Sequence, residues 1–125
     1  MNHRQFSMEQ EAHGDHVAVL ALHGDVDIYA APAFKEALLE VIDAGWDSIV
    51  VDLTGAPFID STGLGVLVSG AKRAKRHCLA IVCDDETTLN LFEIVGFDRL
   101  FAVYRSRAAA FEALALDGFR VTPLD

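Results

Sequence analysis

The chain has 125 residues, of which 52% are hydrophobic and 23% are charged, and its net charge is −9. This composition is globular, and the length fits a single domain over residues 1–125 with a core of roughly residues 6–117. The acidic charge argues against direct nucleic-acid binding. No apolar run reaches the roughly 18 residues of a membrane span, so we expect no membrane insertion.

The N-terminal segment lacks the apolar stretch of a secretory signal, so we expect a cytoplasmic protein with reduced thiols. Cys78 and Cys83 are too few for a disulfide framework. Their plain interpretation is that of two small, partly buried apolar residues. Because Lys75, Arg76 and His77 precede Cys78, a redox-sensing cysteine stays open as an alternative.

The first predicted elements are two strands and a helix. Residues 6–12 mix apolar and polar positions, which is typical of a weak edge strand. Residues 16–23 are rich in Val and Leu and predict a stronger strand. A helix is predicted over about residues 30–44, with Pro32 in its first turn and Gly45 as its stop. Its predicted buried stripe consists of Phe34, Leu38, Val41 and Ile42.

A buried strand, a loop and a second helix follow. Residues 48–53 form a continuous apolar run, which is typical of a strand covered on both faces. Residues 54–58 are predicted to form a loop. Asp60 and Ser61 then supply N-cap chemistry for a helix that runs to about Lys75. Its predicted buried stripe consists of Leu64, Leu67, Val68 and Ala71.

The C-terminal part predicts two further strands and two helices. Residues 79–83 read as a buried strand, and the acidic residues 84–86 open a helix that ends at Gly96. Residues 101–104 predict a short strand, and residues 106–116 predict a final Ala-rich helix. Strands that alternate with helices after a first hairpin predict an α/β fold, with a mixed sheet of about four to five strands and about four helices.

The segment FIDSTGLG, residues 58–65, joins the third strand to the second helix. Gly63, Gly65 and Gly70 each disfavour a helix interior by about 1 kcal/mol relative to alanine. Two explanations for these glycines stay open: close packing of the helix on the sheet, and close approach of another molecule. On a helical wheel Gly63, Val66, Gly70 and Arg73 share one face. We expect that face to be shallow, exposed and partly apolar, as a protein contact would be.

Ser61 is predicted to place its hydroxyl at the surface, at the N-terminus of the second helix. Its plain role is an N-cap, worth about 1 kcal/mol. A helix N-terminus also tolerates a phosphate, because its free N–H groups and the helix dipole favour an anion. Phosphorylation would add a charge of about −1.5 to −2 beside Asp60. Such a charge is expected to abolish a complementary interface and to leave the fold intact.

Three segments together resemble one family. Residues 60–65 match the signature Asp-Ser-Thr/Ser-Gly-Leu-Gly, residues 24–27 resemble a Gly-Asp/Glu-Leu/Val-Asp turn, and residues 95–101 resemble a Gly-Leu-x-x-Leu-Phe segment. With the predicted order of elements, these segments resemble STAS domains, and especially the anti-sigma factor antagonists. The resemblance implies the STAS fold across essentially the whole chain.

The resemblance also implies a mechanism. An antagonist of this kind binds an anti-sigma factor that is also a serine kinase, and the sigma factor is thereby released. The kinase then phosphorylates the motif serine, here Ser61, with Thr62 as a secondary candidate, and the complex dissociates. A serine phosphatase resets the switch. The chain would be a substrate and not an enzyme, with no cofactor and no metal, and a homodimer stays open.

The implied partner surface combines the start of the second helix with the loop that holds Asp25 and Asp27. Asp60 would position Ser61 or contact the kinase. The residues that the resemblance assigns to partner binding are Asp25, Asp27, Asp60, Ser61, Thr62, Gly63, Leu64, Gly65, Val66 and Gly70.

Other functions fit the sequence less well. Ser61 does not lie in a GxSxG elbow, and the histidines show no metal-ligand spacing, which argues against a hydrolase. Asp52 ends a strand as in a two-component receiver, but the acidic pair and the late lysine of a receiver are missing. No Walker loop supports nucleotide binding. Within the family, a subunit of a stress-sensing complex or an accessory domain of a lipid or anion transporter stays open.

Overall fold

The computed structural model describes residues 4–74 and 78–117, so the basic residues Lys75 and Arg76, His77 and the side chain of Cys78 lie outside the described part. Within it, the strands are β1 (Ser7–His13), β2 (Val17–Val26), β3 (Ser48–Ile59), β4 (Cys78–Val82) and β5 (Ala102–Tyr104). The helices are α1 (Ala31–Asp43), α2 (Ser61–Ala74), α3 (Glu86–Val95) and α4 (Arg107–Asp117), with a short 3-10 helix, Phe97–Arg99, after α3.

The strands form one mixed sheet in the order β1-β2-β3-β4-β5. β1 pairs with β2 in antiparallel fashion, and the other neighbours are parallel. Helices α1, α2 and α3 bury their apolar side chains against one face of the sheet. On the other face α4 covers a smaller apolar cluster through Ala110 and Leu114. The predicted α/β fold with a mixed sheet and four helices is therefore confirmed.

The helix boundaries follow from local chemistry that the sequence indicates. Pro32 lies in the first turn of α1, and Gly45, with a φ of 93°, follows its last residues. The Asp85 carboxylate caps α3 by accepting a hydrogen bond from the Thr88 amide at 2.9 Å. Gly96 ends α3 in the left-handed conformation that glycine adopts most readily. The four predicted core residues of α1 are all buried.

The predicted loop at residues 54–58 is wrong, because β3 continues without a break to Ile59. Gly55 belongs to the strand and not to a turn, and its lack of a side chain allows close contact with β2. A Cβ at this position would lie 2.5 Å from Nδ1 of His23. β3 pairs with β4 only as far as Asp52 and pairs with β2 as far as Ile59. Pro57 therefore lies where β3 has lost its β4 neighbour, and an edge position tolerates a residue without an N–H.

Asp52 has a structural partner on the α4 side of the sheet. Its Oδ2 accepts a 2.6 Å hydrogen bond from Nε of Arg107, whose Nη1 also donates to Glu11 at 3.0 Å. Burial alone would raise the pKa of Asp52, but hydrogen bonds from Thr54 and Arg107 hold that pKa below its usual value. Arg107 thus ties α4 to β1 through Glu11 and to β3 through Asp52. This structural role of Asp52 leaves little support for the receiver alternative.

Candidate functional site

The candidate site lies at the end of the sheet where β2 and β3 finish. The Asp60 amide donates a 3.1 Å hydrogen bond to the Val26 carbonyl, and the Asp60 carboxylate accepts one from the Ile28 amide. The loop that follows β2 and the first turn of α2 are therefore held side by side. The adjacent ends of β2 and β3 thus bring together the loop after β2 and the start of α2, which are far apart in sequence.

Asp60, and not Ser61, is the N-cap of α2. Its Oδ1 accepts hydrogen bonds from the Thr62 amide at 2.9 Å and the Gly63 amide at 3.2 Å, and its carbonyl accepts one from Leu64. Desolvation alone would raise the pKa of Asp60, but hydrogen bonds from the Thr62 hydroxyl and from the Gly63 and Thr62 amides hold that pKa below its usual value. The carboxylate is therefore ionised at neutral pH and fixes the first turn.

Ser61 is the first residue of α2 and is exposed. Within residues 4–74 and 78–117, its hydroxyl makes no hydrogen bond. Thr62 is half-buried, and its hydroxyl donates to Oδ1 of Asp60. The two neighbouring hydroxyls thus differ, because one points to solvent and the other is engaged in the cap.

The two aspartates of the preceding turn are not both in a loop at the surface. Asp25 lies in β2 and is only 9% exposed. Its Oδ2 accepts a 3.0 Å hydrogen bond from the Arg4 amide, and its own amide donates to the Arg4 carbonyl. Asp27 is half-buried and accepts hydrogen bonds from the amides of Tyr29 and Ala30. The expectation for Asp25 is wrong: it anchors the N-terminal segment, while Asp27 shapes the loop.

The expectation of an exposed face on α2 made of Gly63, Val66, Gly70 and Arg73 is also wrong, because only Arg73 is exposed and the other three residues are buried. A Cβ at Gly63 would lie 2.7 Å from Ile59 and 2.8 Å from Val26 side-chain atoms. A Cβ at Gly70 would lie 2.6 Å from a methyl carbon of Leu38 on α1. These glycines permit close packing.

The buried stripe predicted for α2 is only partly correct. Of its four residues only Leu67 is buried, while Leu64, Val68 and Ala71 are half-buried.

Gly65 differs from its two neighbours in the helix. It is exposed, and a Cβ placed on it would meet nothing within 4 Å. Since packing within the chain does not require a glycine here, close approach of another molecule stays open for this position alone.

Sequence reasoning missed three large apolar side chains at the same end of the molecule. Tyr29 is 87% exposed, Ile28 is 60% exposed and Phe58 is 49% exposed. Ile28 and Tyr29 directly follow the Asp27 turn, and Phe58 stands two residues before the cap of α2. We call Ile28, Tyr29, Phe58, Ser61 and Gly65 the docking surface.

The redox alternative depends on the surroundings of the two cysteines. The Cys83 thiol is buried, and this burial raises its pKa, which disfavours a reactive thiolate. The redox role considered for Cys78 falls on a side chain outside the described residues.

In residues 4–74 and 78–117, His, Cys, Asp and Glu side chains form no cluster able to hold a metal ion. No helix in that part of the chain has the length and apolarity needed to cross a bilayer.

Comparison with known proteins agrees with this geometry. A model of the STAS domain family matches residues 8–110. An anti-sigma-B factor antagonist of Listeria monocytogenes is 34% identical over 97 residues, which cover 75% of this chain and 83% of the relative. The crystal structure of an anti-sigma factor antagonist from Mycobacterium paratuberculosis has a TM-score of 0.83 at 25% identity, covering 89% of this chain and 95% of that one.

The Bacillus protein SpoIIAA shares the fold at lower identity. Its unphosphorylated form has a TM-score of 0.67 at 16% identity, covering 87% of this chain and 98% of that one. Its phosphorylated form has a TM-score of 0.68 at 15% identity, covering 86% and 99%. With the family match over most of its length and relatives named as anti-sigma factor antagonists, the chain belongs to the STAS domain family.

Proposed function

We propose that this chain is an anti-sigma factor antagonist: it binds an anti-sigma factor that is also a serine kinase, and phosphorylation of Ser61 ends the complex. The observation that carries this proposal is the exposed Ser61 hydroxyl at the start of α2, beside the exposed apolar side chains Ile28 and Tyr29. The names of the relatives supply the class of partner. The chain itself is the substrate of the kinase and not a catalyst.

The docking surface has the composition of a protein contact. Exposed aromatic residues such as Tyr29 and Phe58 are the type that dominates binding energy at protein interfaces. Gly65 leaves one exposed position of α2 without a side chain, so a partner can approach the helix backbone closely there. The hydroxyl of Ser61 is exposed at the first residue of the same helix, where the active site of a bound kinase can reach it.

A phosphate on Ser61 would act by charge. It would add a dianion next to the ionised Asp60 carboxylate, in a surface that the complex must desolvate. Burying an unpaired dianion in an interface costs several kcal/mol. The N-terminus of α2 favours an anion, so the helix itself is not expected to melt. Both forms of SpoIIAA match this chain equally well, which supports a switch that leaves the fold unchanged.

One further component closes the proposed cycle. A serine phosphatase removes the phosphate and restores the neutral hydroxyl. Because the proposed partner is an ATP-dependent kinase that otherwise binds a sigma factor, the proposed place of action is the cytoplasm.

The proposal is tested by titrating the chain with each purified anti-sigma factor kinase of its source organism. Ser61→Ala is expected to bind the kinase and to take up no phosphate from ATP in mass spectrometry. Ser61→Asp is expected to bind roughly 100-fold more weakly, because a fixed negative charge opposes docking. Its melting temperature is expected to stay within about 3 °C of the parent's.

Ser69→Asp is the control for a charge elsewhere on α2, since Ser69 lies two turns from Ser61 and outside the docking surface. Because Ser69 is half-buried, the melting curve of this variant must first match the parent's. We expect it to bind like the parent. Phosphate found on Thr62 and not on Ser61, or a Ser61→Asp variant that binds as tightly as the parent, would refute the proposed switch.

A further inference from the structure

We propose that the docking surface continues into a groove between the end of β3 and the start of α3, and that this groove receives an arginine or lysine side chain of the partner. This inference rests on the proposed function. It extends the contact to α3, which neither the sequence motif nor the family resemblance indicates.

The groove follows from the unequal lengths of the strands. β3 pairs with β4 as far as Asp52 and then projects beyond it to Ile59. Beside this projection the chain turns from β4 into α3, and a cavity of about 310 Å³ remains between the two. Its lining includes Pro57, Phe58, Ile59, Asp85, Thr87 and Leu91.

The groove is continuous with the docking surface through Phe58. This side chain is half exposed, belongs to the docking surface and also lines the groove. A partner that covers Phe58 therefore also covers the mouth of the groove. The exposed apolar area of Phe58 and the half-buried Leu91 give the groove walls that a long aliphatic chain can contact.

Charge decides which side chain fits. Asp84, Asp85 and Glu86 lie at the start of α3, and within the described residues Arg105 is the cation that contacts them, through a 2.8 Å bond to Glu86. Oδ2 of Asp85 accepts hydrogen bonds from the amide and the hydroxyl of Thr88. Its Oδ1 has no partner in the described part of the chain.

Arginine and lysine combine an aliphatic stem with a cationic head, so the stem can pack on the apolar walls while the head reaches a carboxylate. An acidic or phosphorylated group would meet the carboxylate of Asp85, which lines the groove. A second copy of this chain is disfavoured for a similar reason, because its net charge is −9.

The test uses a pair of opposite charges at one position. Thr87 is exposed and is the second residue of α3, and it lines the groove. The probe is the purified kinase that phosphorylates Ser61, titrated calorimetrically at low and high salt. Thr87→Lys is expected to weaken binding roughly tenfold, and Thr87→Glu is expected to keep or tighten it. The salt dependence of binding is expected to be smaller for Thr87→Lys than for Thr87→Glu.

Asn90 provides the matched control, because it is exposed on α3 and does not line the groove. Asn90→Lys and Asn90→Glu are expected to bind within about twofold of the parent, and melting curves verify that all four variants fold.

Three results separate the possible failures. If both Thr87 variants bind like the parent while Ser61→Asp does not, the groove is not part of the contact and the proposed function stands. If both Thr87 variants weaken binding equally, the contact is one of shape, and the basic side chain is refuted. If Ser61→Asp binds like the parent, the proposed function fails and this inference fails with it.

Discussion

The two sides of α2 use glycine for different reasons. On the inner side, Gly63 and Gly70 lie so close to Val26, Ile59 and Leu38 that a methyl group would collide with them. On the outer side, Gly65 faces open space. A glycine weakens a helix wherever it stands, and on the inner side close packing compensates for that loss. On the outer side no packing within the chain compensates for the loss of helix stability, so contact with a partner is the remaining explanation for Gly65.

The same contrast extends to the ends of β2 and β3. The buried Asp25 and the half-buried Asp27 shape the chain, whereas the exposed Tyr29 has no role in the core. Residues of the sequence motif therefore divide into those that build the site and those that are available to a partner. The following variants test that division.

The largest expected effect is on binding, at the exposed loop. Tyr29→Ala is expected to weaken kinase binding by about 2–3 kcal/mol, because a large aromatic contact is lost, with little change in the free energy of unfolding. Isothermal titration and urea unfolding measure the two quantities. Ile94→Ala is the control, since Ile94 is 80% exposed on α3 and lies outside the docking surface. Equal binding by Tyr29→Ala and Ile94→Ala would show that the docking surface is misplaced.

The inner side of α2 predicts the opposite behaviour. Gly63→Ala is expected to lower the free energy of unfolding by about 1–2 kcal/mol, because the new methyl group must displace side chains of Val26 and Ile59. Gly70→Ala is expected to have the same sign through its contact with Leu38. Urea unfolding at pH 7 measures both. If Gly63→Ala stabilised the chain, the packing explanation for the inner glycines would be wrong.

The cap of α2 has a smaller effect that depends on pH. Asp60→Ala is expected to lose about 1 kcal/mol at pH 7, and Asp60→Asn less, because asparagine also caps helices. The pKa of Asp60 is lowered in the folded chain. Its carboxylate therefore stabilises the fold above the unfolded pKa of about 3.9, and this contribution is lost as the pH falls through the folded value. Unfolding from pH 7 to pH 3 should show the deficit of Asp60→Ala shrinking; a constant deficit would contradict the assignment.

The smallest expected effect is at Gly65, where one substitution is expected to increase stability and to weaken kinase binding. Gly65→Ala is expected to raise the free energy of unfolding by about 0.5–1 kcal/mol, since alanine favours the helix and the site is open. The same change is expected to weaken kinase binding, because the methyl group occupies space reserved for the partner. Parallel melting and titration experiments measure the two changes. A variant that is more stable and binds as tightly would remove Gly65 from the docking surface.

Much of the fold could be predicted from local sequence signals. Pro32 and Gly45 define α1, and Asp85 and Gly96 define α3, because caps and stops depend on residues within a few positions. The alternation of buried strands with helices is likewise a periodic pattern. The position of Ser61 at the start of α2 follows from the same kind of signal.

The remaining features depend on contacts between distant segments. Gly55 and Pro57 resemble turn residues, and only pairing with β2 makes this part of the chain a strand. The inner face of α2 could not be assigned, because apolar residues surround the helix and the position of α1 decides which of them are buried. The register shifts between β2 and β3 likewise could not be read from a period of two residues.

The central claim is that a charge on Ser61 alone ends the complex. The direct measurement is calorimetric titration of the kinase with the full chain in two forms, unmodified and phosphorylated, with mass spectrometry to locate the phosphate. We predict one phosphate on Ser61, a loss of affinity of roughly 100-fold or more, and nearly equal melting temperatures for the two forms. Equal affinity of the two forms for the kinase would contradict the account.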